Sequence, residues 1–258
     1  MADADIAVPA ALMADPGRAR MLLALTDGRA LPAGVLRAEA GVATSTASEH
    51  LKKLCAAGLL RVEQHGRHRY YRLASVQVAR AIEALAQISP QAPVRSLREG
   101  TRAEALRRAR MCYDHLAGRL GVALMSAMLE RAALVGGDGR YDPQTARRDR
   151  PSAPGHDVDY RLTPVGTGLV RDLGIDLDRL AAGKRQLIRY CVDWTEQRHH
   201  LAGSLGSAVA DQMLSSGWLK RRANDRAVLL TPAGAAGLSE VLGVELPEPI
   251  RRPRVASA

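Results

Sequence analysis

Two short blocks of the 258-residue sequence concentrate side chains that can ligate metals or exchange electrons. The first is Cys112-Tyr113-Asp114-His115. The second runs Cys191-Val192-Asp193-Trp194-Thr195-Glu196-Gln197-Arg198-His199-His200. Both begin Cys-x-Asp and both lead into His-Leu-Ala-Gly, with six extra residues separating Asp193 from His200. Thiolate, imidazole and carboxylate suit zinc or a related transition metal. Cys112 and His115 are expected one turn apart on a helix. Asp193, Glu196 and His200 are expected on one face of another, at spacings of three and four. The candidate metal ligands are therefore Cys112, Asp114, His115, Cys191, Asp193, Glu196, His199 and His200, and a four-ligand site would draw on both blocks. The same residues also suit a thiol-redox or organic-ligand sensor, or plain packing, since cysteine behaves as a small hydrophobe. No other cofactor is called for. Cys55 lies outside both blocks and reads as core.

The elements that must position these blocks belong to a duplication. Leu162-Thr163-Pro164-Val165-Gly166 recurs as Leu230-Thr231-Pro232-Ala233-Gly234, and His115–Gly121 recurs as His200–Gly206. Matched blocks in one order mark repeated units, about 104–180 and 184–246, within a region spanning 95–246. Each unit reads helix, helix, strand, turn, helix. Thr163 and Thr231 are placed as N-caps with proline at the first helical position, the way a wing enters the last helix of a winged-helix unit. Gly136–Gly155, rich in Gly, Pro, Asp and Arg, reads as a mobile loop. Residues 247–258 form a basic tail.

Residues 1–89 carry a different signal, bounded by a linker over Ser89–Pro93. Helices are expected over 9–26, interrupted at Asp15-Pro16, and over 32–40, stopped by Gly41. A third begins with Thr44 as its cap and ends before Gly58. Its apolar residues Ala47, Leu51 and Leu54 face inward, leaving Ser45, Thr46, Ser48, His50 and Lys52 outward. A helix, a short turn with glycine and a second capped helix make a helix-turn-helix, and small polar residues let the second helix enter a major groove. The strands around 59–63 and 68–73, joined by a glycine-containing turn, form a wing with Arg67, His68 and Arg69 at its tip. A helix over 76–87 follows. Residues 44–72 hold six lysines and arginines against two acids. The whole chain has 37 Lys and Arg against 27 Asp and Glu, a formal charge of +10 that favours polyanionic partners, nucleic acid first.

These N-terminal residues resemble the ArsR/SmtB family of winged-helix repressors. The resemblance rests on Leu12–Leu22, on His50-Leu51-Lys52-Lys53-Leu54, on Ala57-Gly58-Leu59-Leu60 and on Gly66–Leu73, and covers about 88 residues. It implies a bacterial homodimer on an imperfect palindromic DNA operator, repressing until an inducer binds. The chain departs from the metal-sensing members. Val35–Ala40 lacks their thiolate pair, and Val76–Ser89 lacks their Asp and His ligands, so any sensing must lie elsewhere.

The expected fold is mainly α with short β wings (α+β), a winged helix-turn-helix followed by a mostly helical region of two winged-helix-like repeats. Phe is absent and aromatics make up 3% of the chain, so Leu, Ala, Val and Met must fill the core. No apolar run suits a bilayer, no signal pattern opens the chain, and three cysteines form no framework, which points to the cytoplasm and no membrane partner. Without a nucleophile elbow, phosphate loop or nucleotide fingerprint, an enzyme is not expected. An enzyme with an accessory winged helix is the rival reading, and a DNA-associated scaffold a third.

Overall fold

The computed structural model describes residues 4–65, 68–89, 97–151, 153–222 and 226–245. The N-terminal half builds α1 (Ala7–Met13), α2 (Pro16–Ala24), β1 (Leu31–Pro32), α3 (Ala33–Ala40), α4 (Thr44–Ala56), β2 (Leu60–His65), β3 (His68–Leu73) and α5 (Val76–Ile88). The Asp15 carboxylate accepts the Arg18 amide at 2.8 Å with Pro16 in the first turn, so α2 starts where the Asp-Pro pair breaks the pattern. Gly41, at φ 68°, closes α3. Thr44 opens α4 without capping it; Ala43 holds the cap position and supplies no side-chain bond. Strands β1, β3 and β2 form one antiparallel sheet in that order, with Leu60 opposite Leu73 and His65 opposite His68. Met21, Leu22, Leu36, Leu51, Leu54 and Ile82 pack together as the core of this half.

Beyond α6 (Leu97–Arg108) the chain traces one plan twice. The first copy is β4 (Arg110–Cys112), β5 (His115–Ala117), α7 (Gly118–Glu130), β6 (Leu134–Val135), β7 (Arg161–Leu162) and α8 (Pro164–Asp172), followed by α9 (Leu177–Ala181). The second is β8 (Arg189–Val192), β9 (His199–Ala202), α10 (Gly203–Ser215), β10 (Leu219–Arg221), β11 (Val228–Leu230) and α11 (Pro232–Leu242). Each copy is hairpin, helix, hairpin, helix, where the sequence predicts helix, helix, strand, turn, helix. The ligand blocks are thus β-hairpins and not helices. Every residue of β4, β5 and β9 is buried, so none shows the alternation that marks a strand. Tyr113 at φ 60° and Gln197 at φ 50° make the left-handed turns that reverse the chain. Of the extra residues of the second block, 194–198 lie in its hairpin turn and His199 adds a rung opposite Val192, which leaves Cys191 opposite His200.

Thr163 and Thr231 cap α8 and α11 by accepting the amides of Gly166 and Gly234 at 3.1 and 3.0 Å, as predicted. One hydrophobic cluster joins both copies, from Ala109 to Val244. The segment read as a mobile loop is pinned. Asp157 accepts the amides of Arg147, Arg148 and Asp149, and the Gly155 amide donates to the Tyr190 carbonyl at 2.7 Å. The predicted linker residues 90–93 and the tail 247–258 lie outside the described residues.

Candidate metal centre and nucleic-acid interface

The α4 helix presents Ser45, Thr46, Ser48 and Lys52 to solvent while Ala47, Leu51 and Leu54 are buried against α2 and α3. Glu49 and Lys53 form an i,i+4 ion pair at 3.4 Å. His50 does not share their freedom. Its side chain is 12% exposed and its Nε2 lies 3.4 Å from the Asp15 carboxylate, so the ring braces α4 against the start of α2. Arg69 is exposed on β3. His68 lies in β3, its side chain undescribed, and Arg67 falls outside the described residues.

In the C-terminal half, Cys112 and His115 are cross-strand partners in the first hairpin, and Cys191 and His200 are the equivalent pair in the second. The hairpins meet. Ligand atoms of Cys112, His115, Cys191 and His200, all buried, lie within 4.8 Å of one another. The two imidazoles stack with centroids 5.2 Å apart and planes at 29°. Close approach depends on two equivalent glycines. A Cβ on Gly121 would meet the Leu116 carbonyl oxygen at 2.4 Å and the His200 Cβ at 3.5 Å. One on Gly206 would meet the Leu201 carbonyl oxygen at 2.6 Å and the His115 Cβ at 3.4 Å. The centre therefore has the near-twofold symmetry of the duplication, one sulfur and one imidazole from each copy.

The remaining candidates are placed around this quartet. Asp114 binds His115 Nδ1 at 3.0 Å and is itself held by Arg185. That leaves Nε2 of His115 buried with no hydrogen bond outside the quartet; Nε2 of His200 is in the same state, while its Nδ1 faces Asp193. Asp193 is fully buried and occupied. Arg110 grips both oxygens at 2.9 Å, and the Gly118 amide and Thr195 hydroxyl donate at 2.7 Å. Its Oδ2 stands 3.5 Å from His200 Nδ1. Asp114 and Asp193 thus orient the two imidazoles, as carboxylates behind metal-binding histidines do. Glu196 lies 3.9 Å from Arg119 at the surface. His199 faces away, its Nδ1 on the Tyr160 hydroxyl at 2.8 Å and its ring against Tyr190.

Burial lowers the His200 pKa to about 3, which keeps its imidazole neutral. Burial also opposes charge on His115, but the Cys112 sulfur and the Asp114 carboxylate outweigh it and lift that pKa to about 9. The adjacent Cys191 side chain, burial and the Glu83 carboxylate raise the Cys112 thiol, so it must release a proton to ligate. Two sulfurs and two imidazoles in a closed, buried quartet suit zinc-like ions.

Sequence reasoning missed three contributors. Glu83 of α5 lies with both carboxylate oxygens 3.6 Å from Cys112 Sγ. Arg226 approaches Glu83 at 3.4 Å, and Arg110 secures Asp193. A signal existed for Glu83. It follows Ala79 and Ile82 on the apolar side of α5, where an acid needs a partner. Nothing local marked Arg110 or Arg226 among 37 cationic residues.

A hydroxyl-bearing second helix set on a short helix pair, with an antiparallel wing behind it, defines a winged helix-turn-helix DNA-binding protein. Residues 13–63 match a protein-family profile described as a helix-turn-helix domain. An uncharacterized HTH-type transcriptional regulator of Bacillus subtilis strain 168, YdfF, is 38% identical over 242 residues, covering 94% of this chain and 99% of the relative. The HTH-type transcriptional regulator CmtR of Mycobacterium tuberculosis H37Rv is 42% identical over 76 residues, 30% of this chain and 64% of CmtR. The solved structure of the cadmium metal-sensor CmtR from M. tuberculosis is 34% identical, covers 36% of this chain and 99% of that one, and superposes with a TM-score of 0.28. The chain belongs to the HTH-type transcriptional regulators. It is a DNA-binding regulator. No helix among the described residues is long and apolar enough to cross a membrane.

Proposed function

We propose that this regulator is a metal-responsive repressor, in which occupancy of the Cys112–His115–Cys191–His200 centre changes the grip of α4 and the wing on an operator. The observation that carries the reading is a buried quartet of soft and imidazole donors in which the Nε2 atoms of His115 and His200 have no partner outside the quartet. A buried polar atom left unpaired costs about 1–3 kcal/mol, and a zinc-like ion would supply the missing interaction. Ser45, Thr46, Ser48 and Lys52 are read as the base- and phosphate-facing side chains, with Arg67, His68 and Arg69 on the adjacent backbone. His50 belongs to this set as the residue that fixes the angle of α4. A homodimer on a two-fold operator in the cytoplasm completes the reading. The C-terminal half is taken as a sensor and not a catalyst, in line with relatives named as transcriptional regulators.

Anaerobic titration of the reduced protein with Co(II), followed by absorbance, tests the centre. Intense thiolate-to-metal bands are expected, lost in Cys112→Ser, whose DNA binding persists without induction. A silent titration overturns the metal assignment. It would favour a thiol-redox sensor built on the same cysteines, since Cys112 and Cys191 stand within hydrogen-bonding reach of each other.

A further inference from the structure

Among the described residues, Cys112 links the quartet to the DNA-binding half by a hydrogen bond, and its partner is Glu83. Glu83 belongs to α5, packed on the winged-helix core next to Ile82, and is 7% exposed. The Cys112 thiol donates towards both of its carboxylate oxygens at 3.6 Å. Arg226 of the second repeat completes the junction. Its Nη1 reaches Glu83 at 3.4 Å and the Thr26 hydroxyl at 3.1 Å, just beyond α2. Its carbonyl accepts the amide of Met111, the residue before Cys112, at 2.9 Å. On the other side of Cys112, the Tyr113 amide donates to the Thr26 carbonyl at 3.0 Å. The ligand-bearing hairpin is thus tied to both α5 and the end of α2, and the sulfur itself touches only the first of these.

We propose that Glu83 is the residue through which the cysteine–histidine centre is read by the DNA-binding half. The inference rests on the metal reading of that centre. Cys112 cannot donate a proton to Glu83 and ligate a metal through the same sulfur. Ligation breaks the S–H bond, forms a sulfur–metal bond and passes the proton to solvent, so the carboxylate loses its donor. It then faces an electron-rich sulfur across 3.6 Å. Arg226 remains its partner, and the carboxylate turns towards it. On this reading the buried Glu83 draws α5 with it as it turns, and α5 is contiguous with the wing through β3. The backbone ties at Thr26 are unaffected by ligation and act as the fulcrum.

Glu83→Gln tests this with little change of shape. The amide accepts from a thiol or, rotated, donates to a metal-bound sulfur, so its contact with Cys112 exists in both states. DNA affinity is measured with and without Zn(II), using a duplex that the metal-free wild type selects from a random library. The wild-type affinities should differ about 5–150-fold, the usual range of allosteric coupling. In Glu83→Gln the ratio should fall below about twofold while the Co(II) bands and the metal-free affinity persist. Hydrogen exchange of the α5 amides gives a second readout, shifting on Zn(II) addition in the wild type and not in the variant. A variant that keeps its cobalt bands and a wild-type affinity ratio overturns the role of Glu83 and leaves the metal centre standing. Absence of cobalt bands from the wild type removes the centre itself, and the proposal with it.

Discussion

His115 and His200 occupy equivalent positions in the duplication yet are supported differently. Asp114 bonds His115 directly and is braced by Arg185, whereas Asp193 stands 3.5 Å from His200 and is consumed by Arg110. One carboxylate orients its imidazole directly, and the other anchors the hairpins to each other by binding Gly118 across the repeats. A second carboxylate device holds the long β6–β7 connection. Amides of Arg148 and Asp149 keep the Asp157 carboxyl at about 2, against an ordinary 3.8. The folded value is depressed, so the staple is fully present above about pH 4 and is lost as pH falls through about 2. A carboxyl NMR titration should place the Asp157 midpoint well below 3.8; a midpoint near 3.8 would mean that the amides do not hold it.

At the scale of elements, the hairpin-then-helix step is what builds the centre twice. Helices α7 and α10 each begin directly after a ligand-bearing strand, and their first turns carry the glycines that admit the opposite histidine. Gly206→Ala would force a Cβ to 2.6 Å from the Leu201 carbonyl and press on His115. Overpacking of this kind costs about 1–3 kcal/mol, and the equivalent change at Gly121 should cost as much. Urea unfolding of both variants checks this, and wild-type stability in either would remove the close-approach argument. The predicted helices at these blocks failed for an identifiable reason. Strands of three or four residues buried on both faces show neither the alternation of an exposed sheet nor the length that separates strand from helix. The winged-helix elements were legible because each ends on local chemistry, Asp15-Pro16 before α2 and Gly41 after α3.

Across the whole molecule, a charge of +10 is spread over both halves, but the α4 and wing segment concentrates it beside exposed hydroxyls. Phosphate contacts release counterions, so DNA affinity should fall steeply with salt. Arg69→Ala should weaken binding across all sequences and reduce the salt slope by about one. An unchanged slope would take Arg69 out of contact with the backbone. The two hydrophobic clusters are joined by polar contacts at residues 26–29, 83, 112–113, 222 and 226, where Arg29 also donates to the Arg222 carbonyl at 2.8 Å. Tyr113 adds an apolar contact to this seam by packing against the winged-helix core.

The sequence by itself determined the winged helix-turn-helix, the inward face of α4, the duplication and the threonine caps of α8 and α11. Each of these is written in neighbouring residues or in a repeat, and local physics reads it directly. It also named all four members of the quartet, because cysteine and histidine are scarce and the repeats align them. Tertiary structure decided the rest. Pairing Cys112 with His115 across a hairpin, turning His199 towards Tyr160, giving Asp193 to Arg110 and bringing Glu83 to Cys112 all join residues through contacts between elements. Glu83 and Cys112 are 29 residues apart, Arg110 and Asp193 are 83 apart, and no local pattern encodes partners at such separations.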